Sequence, residues 1–413
     1  MIANQFPPMG GSGVQRSVKF VKHLRKFGYE PIVFTREEKG MTLKDETLLN
    51  DIPEGTEIIR TKPHDFTEWT SIFKLFGKVL GLKVFIPDSA WLWSRLSRKA
   101  AVKAIQDNDI KIIYTTSAPY SDHLLGLYLK RKFPDITWVV DFRDEWTNNP
   151  YTLDNPHWFY RTKKEKKMER EVLENADALI TNTPVMRKNF VENNNLKGDN
   201  FFVIPNGYDV EDFEKFDLTK PKNEKLTLTY TGALYGRRKP DTFFKALSEL
   251  ISENIIDGNK ICVNLIGNYH KDKLQAQIDS FSLTNQIKIV GYVPHDECIK
   301  RQLDSDILVL IEGTGRGADA FYTGKIFEYM NTGRPVLAVL PENGAAADLV
   351  RKTKIGKVAH TDDVSAIKKV IAQYYNDWTN GSLDFEADRN EIEKYERKEL
   401  TKQLASVFDR YYD

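Results

Sequence analysis

Apolar positions along this 413-residue chain follow two alternating periods. Short runs rich in β-branched and aromatic residues open at 30–35, 56–61, 111–116, 137–146, 177–182 and 200–209. Between them lie longer stretches with helical spacing. Strands alternating with amphipathic helices predict a parallel sheet with helices on both faces. A polar, aperiodic stretch at 209–225 breaks the series and reads as a linker. A second series then opens at 226–231 and continues through 261–267, 286–294, 307–311 and 336–340. The expected organisation is α/β, with a Rossmann-like unit over 1–208, a second over 226–390 and a closing helix within 391–413.

One run concentrates several signals. Residues 323–338 read TGKIFEYMNTGRPVLA, a loop, a short helix, a tight turn and a buried strand. Thr323 and Gly324 precede the helix, whose first N–H groups lack internal partners and attract anions. Lys325 adds a full positive charge beside them. Ile326, Phe327 and Met330 can anchor the helix in a core. Glu328 stands one turn in, where its carboxylate can hold a diol while the helix end holds a phosphate. Gly333 ends the helix and Pro335 cannot continue it.

Other strand ends carry chemistry too. At the N-terminus a short strand, which reads as though apolar residues preceded it, leads into a loop with Gly11 and Gly13. The third glycine of a dinucleotide fingerprint is replaced by Arg16, so that motif is weak. Ser117 and His123 follow the strand at 111–116, and His123 is either a first-turn helix residue or a base. Asp141, Arg143 and Asp144 stand at the C-terminal end of the strand read over 137–146. They form either an internal Asp–Arg–Asp network or a ligand site at a strand end. Gly232 and Gly236 allow close backbone approach, and Arg237, Arg238 and Lys239 then follow. Gly291-Tyr292-Val293-Pro294 closes a later strand, and 312–317 is a glycine-rich segment.

Composition narrows the field. Basic and acidic residues nearly balance, at 60 against 59 and a formal net charge of +1, which gives no argument for nucleic acid. The balance conceals a front half with excess base and a back half with excess acid. Two cysteines, Cys262 and Cys298, make neither a disulfide framework nor a metal motif, so the cytosol is the expected compartment. No apolar run reaches the ~18–20 residues that a membrane span needs. The segment 71–87 alternates apolar residues with three lysines and no acid. It suits either an anionic membrane surface or a helix packed on the sheet with its lysines outward. A second basic cluster, at 161–170, is interleaved with acids.

Taken in order, these motifs resemble those of GT-B glycosyltransferases of the family-four/group-1 type, in the branch that builds bacterial surface glycans. The resemblance spans nearly the whole chain. It implies two Rossmann-like domains facing across a cleft, with the last helix packed back on the first domain. The donor, a nucleotide sugar with UDP the commonest class, would bind the second domain. Glu328 would take the ribose. Thr323, Gly324, Lys325 and Ile326 would approach the diphosphate, with Gly232 close by, and Arg238 or Lys239 would clamp the departing diphosphate. Tyr292 and Val293 would cover the base through their main chain. Gly11 and Gly13 would lie across from the donor phosphates. Ser117, His123, Asp141, Arg143 and Asp144 would serve a glycan or lipid-linked acceptor. The implied chemistry is retaining hexosyl transfer with no metal, no other cofactor and no protein nucleophile. The expected place is the inner face of the membrane, reached by peripheral contact with anionic lipid. One departure stands out: many relatives carry a second acid eight positions before the motif Glu, and here that position is Ala320, with Asp319 adjacent. A sugar-nucleotide epimerase and a non-catalytic nucleotide- or glycan-binding protein are the alternatives.

Overall fold

A computed structural model describes residues 1–39, 44–63, 85–220 and 222–412. The segment read above as basic and amphipathic, 71–87, therefore lies outside the described residues up to residue 84. The chain divides into two compact units, Met1–Asn206 with Arg397–Asp413, and Gly207–Glu396.

The first unit carries strands β1 (Val33–Arg36), β2 (Ile58–Thr61), β3 (Ile112–Ser117), β4 (Thr137–Phe142), β5 (Ala178–Thr181) and β6 (Phe201–Val203). Every pairing among them is parallel, β1 with β2 and β3 through β6 in sequence. Ile2 joins the two groups, bridging Phe34 on one side and Thr115 on the other. The expected first strand is thus reduced to a single bridging residue at the centre of the sheet. Strand β4 is buried along its whole length, as an inner parallel strand must be when helices cover both faces.

Helix Ser12–Leu24 shows how the sequence builds this unit. Val14, Val18 and Val21, at i, i+4 and i+7, pack with Phe6 and Val33. Phe20 and Leu24, on a neighbouring stripe, meet Tyr114, Leu400, Leu404 and Phe408. The last helix, Arg397–Tyr411, thereby belongs to the first unit. Residues 391–396 do not, because Ile392 and Tyr395 pack in the core around Phe327. The expected break before the last helix therefore moves from 390/391 to 396/397.

The second unit carries β7 (Leu226–Thr231), β8 (Ile261–Ile266), β9 (Ile287–Gly291), β10 (Ile307–Ile311), β11 (Val336–Leu340) and β12 (Gly356–His360). They form one parallel sheet in the order β12-β11-β10-β7-β8-β9. The predicted linker is largely part of this unit. Phe213 is buried against Ile299 and Leu303, and Arg334 donates to the carbonyls of Leu218 and Thr219. Phe213, Phe216 and one buried guanidinium hold a stretch whose polar composition read as a linker.

A buried ion pair locks the first unit. Arg16, on helix Ser12–Leu24, donates Nε to Asp141 Oδ2 and Nη2 to Asp141 Oδ1, both at 2.8 Å. Its remaining donors go to the carbonyls of Pro205 and Ile204 at 2.7 and 2.9 Å. Tyr114 and Thr116 hydroxyls also donate to Asp141 Oδ2. Burial alone would raise the Asp141 carboxyl, but the Arg16 charge and these donors outweigh it and hold it below the ordinary value. Removing one partner of such a pair leaves an uncompensated buried charge, at about 3–5 kcal/mol. Arg16→Met should therefore destabilise the protein by about 3–5 kcal/mol in urea unfolding at pH 7. A depressed carboxyl stabilises fully above its unfolded value of about 3.9 and loses that contribution as pH falls through its lower native value. Wild type and variant should accordingly converge in acid; a gap that persists there would show that Arg16 acts by packing alone.

Candidate functional site

In the second sheet β7 connects outward to β8, whereas its other neighbour β10 connects the opposite way to β11. The chain leaves the carboxyl ends of these two strands in divergent directions, which opens a crevice at the point where open α/β sheets bind ligands. The loop after β7 supplies Gly232, Arg237, Arg238 and Lys239. The segment after β10 supplies Glu312 and ends at helix Lys325–Thr332. Four apolar side chains, Ile326, Phe327, Tyr329 and Met330, bury that helix. Tyr329 also pins it to β7, accepting from the Thr231 N–H at 3.1 Å.

Lys325 lies across this crevice. Its ammonium sits 4.3 Å over the Tyr230 ring and donates to the Tyr230 hydroxyl at 2.9 Å. That route passes over Gly232, whose φ is +109° and where an added Cβ would stand 2.6 Å from Lys325 Cε. Glycine is required there twice, for backbone conformation and for clearance. Burial lowers the Lys325 pKa to about 8, against a raising influence from Glu312. Arg238 is paired with Glu312, Nε to Oε2 at 2.7 Å, both side chains mostly buried. The second Glu312 oxygen, Oε1, is buried without a hydrogen-bond partner among the described residues. Lys239 is exposed. Arg237 turns instead to the glycine run, donating to Arg316 O at 2.9 Å and lying where side chains at Gly313 and Gly315 would collide.

At the helix start the first N–H groups do not all lack partners: Ile326 and Phe327 donate to the carbonyls of Thr323 and Gly324, each at 3.2 Å. Gly324 has an ordinary helical φ of −56°, so it is not needed for an unusual turn. Its effect is to leave open space, since a Cβ there meets nothing within 4 Å, and no side chain caps the helix. Thr323 is buried just before it. One turn on, Glu328 accepts from His295 Nε2 and Gln302 Nε2, each at 3.2 Å. Those two residues occupy one face of helix His295–Leu303, seven positions apart. Tyr292 and Val293 sit just before that helix, and the Tyr292 ring is largely exposed. Ile326 is wholly buried, so only its backbone can meet a ligand. Ala320 is buried and Asp319 exposed, so no acid replaces the missing one at its position.

In the first unit the candidates separate into inner and outer groups. Asp141 has no exposed surface and is saturated by Arg16, Tyr114 and Thr116. Arg143 neither pairs between the two aspartates nor reaches outward: its three nitrogens donate to the carbonyls of Ser117, Gly13 and Ala118. A Cβ at Gly13 would collide with that guanidinium, so the glycine serves this clamp, whereas Gly11 is exposed at the helix start with φ +117°. Ser117 is buried. His123 is buried too, bonded through Nδ1 to the Thr115 hydroxyl at 2.8 Å, and burial lowers its pKa to about 3. It is the core helix residue of the two alternatives, because a fully buried ring with so little affinity for a proton makes a poor base. Asp144 alone of this group is exposed.

Sequence reasoning missed Glu312, Tyr230, His295, Gln302 and the partnership of Arg16 with Asp141. Glu312 had a usable signal, an acid directly after an inner strand. His295 and Gln302 are recognisable only once their helix is seen to pack beside Glu328.

Comparison with known proteins supplies the family. No curated protein sequence matches the chain. Among solved structures it is similar to a glycosyltransferase from Rickettsia africae, at 14% identity over 98% of this chain and 97% of that one, with a TM-score of 0.66. It is similar also to sucrose-phosphate synthase from Thermosynechococcus elongatus, at 15% identity over 100% and 98%, TM-score 0.66. A third is the lipopolysaccharide outer core galactosyltransferase WaaB, at 12% identity over 99% of both chains, TM-score 0.63. Identities this low establish the GT-B fold alone. Family models go further: residues 11–212 match Glycosyltransferase Family 4 and residues 210–399 match Glycosyl transferases group 1. With one model on each half, and the strand order and site residues described above, the chain belongs to the family-four/group-1 glycosyltransferases.

Proposed function

We propose that the second unit binds a nucleotide-sugar donor and that the protein transfers the sugar, with retention of configuration, to a glycan or lipid-linked acceptor of cell-surface polysaccharide synthesis. The observation that carries this reading is the convergence of Lys325, Arg238 and an uncapped helix start on the crevice between β7 and β10. A diphosphate placed there meets two cations and the positive end of a helix that no side chain caps. Glu328, held by His295 and Gln302, is set one turn along to receive the ribose hydroxyls. The exposed Tyr292 ring and the main chain at Val293 suit a base. UDP is the favoured nucleotide. On the first unit, exposed Asp144 is the group we assign to the acceptor.

Breaking a sugar–diphosphate bond develops negative charge on the leaving phosphate. Cations held in a partly dry crevice stabilise that charge more than they would in water, and loss of one such group typically costs about 2.7–4 kcal/mol of barrier. The leaving phosphate oxygen can take the acceptor's proton as the new bond forms on the same face, so this route needs neither a metal nor a protein nucleophile. Epimerisation would need acids at the donor sugar, and the buried Ala320 is unfavourable to it; release of epimerised sugar without acceptor would revive that reading.

Two outcomes follow for donor binding. Glu328→Ala should weaken UDP binding by about 1.5–3 kcal/mol, the worth of hydrogen bonds to a charged group, as measured by calorimetry alongside GDP and ADP. Failure of all three nucleotides to bind wild type would sink the donor assignment. Lys325, with its pKa lowered to about 8 by burial, loses its proton as pH rises past that value, and only its charged form attracts phosphate. UDP affinity should therefore decline above pH 8, with proton uptake on binding. Lys325→Arg, which stays protonated, should flatten that decline. A profile that declines identically in the variant would place the titration elsewhere.

A further inference from the structure

The most exposed large apolar side chain of the described residues is Phe159, at 82%. It does not stand alone. Trp158 and Tyr160 flank it, each more than half exposed, with their rings 5.6 Å apart, and Tyr151 is exposed just upstream. Isolated apolar residues on a surface are ordinary, but a cluster of aromatic rings facing water marks an interaction surface. These four residues belong to neither the donor crevice nor the acceptor group described above.

The cluster caps helix Phe159–Asn175, whose two faces differ sharply. The inner face is fixed to the first unit by polar bonds. Arg161 donates Nε to Glu165 at 2.8 Å and Nη2 to Pro87 O at 2.6 Å. His157 meets the other Glu165 oxygen at 2.9 Å, and Glu169 accepts from the Thr147 N–H at 2.7 Å. The outer face is basic. Phe159, Lys163, Lys166 and Arg170 follow one another at i, i+4, i+7 and i+11, and all are exposed. Arg170 is paired with Glu174 and Lys167 faces Glu171. Lys163, Lys164 and Lys166 form no ion pair among the described residues. The first turn holds no acid and no capping side chain, so the helix dipole adds to the same positive end.

We propose that this cap is a docking surface for an anionic lipid membrane. Trp and Tyr suit the headgroup level, where an apolar ring and a polar tip are both accommodated. Phe159 enters the acyl boundary beneath them. The lysine stripe faces the negative surface potential, extending its charged ends while its stems cover apolar surface. Weak peripheral anchors need two signals to hold, and here an aromatic wedge and a basic stripe lie on one rigid helix. Charge complementarity selects an anionic surface over a neutral one. The bonds of Arg161, His157 and Glu169 hold the wedge outward, so docking needs no rearrangement of the fold.

The test is co-sedimentation of the full chain with phosphatidylcholine vesicles, with and without phosphatidylglycerol, at low salt and without nucleotide or sugar. The result thus does not depend on the transferase reading. The anionic vesicles should retain wild type and the neutral ones should not. Lys163→Gln with Lys166→Gln should weaken retention by about fivefold per lysine. Trp158→Ser with Phe159→Ser should weaken it at least as much, with the melting temperature unchanged because both rings are exposed. The proposal is overturned if anionic vesicles fail to retain wild type, if neutral vesicles retain it equally, or if both double variants bind as wild type does. Unchanged vesicle binding, with weaker binding of a soluble oligosaccharide by Trp158→Ser, would assign the rings to sugar stacking instead.

Discussion

A positive charge withdrawn from water at the carboxyl ends of two parallel strands is the constraint on which the second unit's site depends. Lys325 keeps its ammonium over the Tyr230 ring and beside the Arg238–Glu312 pair. An ammonium there is expensive to hold, which is why its pKa falls. It becomes favourable again when an anion arrives, and that difference is what a phosphate site requires. The surroundings hold the ammonium in that position. Gly232 has no side chain to obstruct the lysine, Tyr329 ties the helix to β7, and the sheet order parts the loops that would otherwise fill the crevice.

The first unit uses buried charge differently. Arg16 and Asp141 satisfy each other, and Arg143 is consumed by three backbone carbonyls. These groups stand where ligand chemistry was expected, yet they shape the carboxyl end of β4 rather than offer themselves to a substrate. Their effect is to fix the loop that carries exposed Asp144. Helix Phe159–Asn175 repeats the pattern on the outside of the same unit, with paired charges inward and exposed lysines and aromatic rings outward. In both places the buried ions hold a shape while other polar or aromatic groups stay at the surface.

Much of this was legible in the residues. Strands β7, β10 and β11 were readable to the residue, because inner parallel strands are continuous apolar runs bounded by turn formers. The run from Thr323 to Pro335 announced its helix and its glycine stop through local chemistry alone. The family followed from the order of such motifs along the chain. Periodicity and turn chemistry are local properties, and local properties survive in one dimension.

What the tertiary structure decided is which charges face each other. No spacing rule relates Arg16 to Asp141, Arg238 to Glu312, or His295 and Gln302 to Glu328, since each pair is brought together by strand order and helix packing. The same holds for the linker, where Phe213 and Phe216 find an apolar surface that the local composition did not reveal. Asp141, Arg143 and His123 looked alike as candidates because a polar residue at a strand end can turn outward to a ligand or inward to a partner. For Asp141 and Arg143 the free energy of satisfying a buried charge made that choice, through partners that include residues more than a hundred positions away. For His123 burial against its own strand made it.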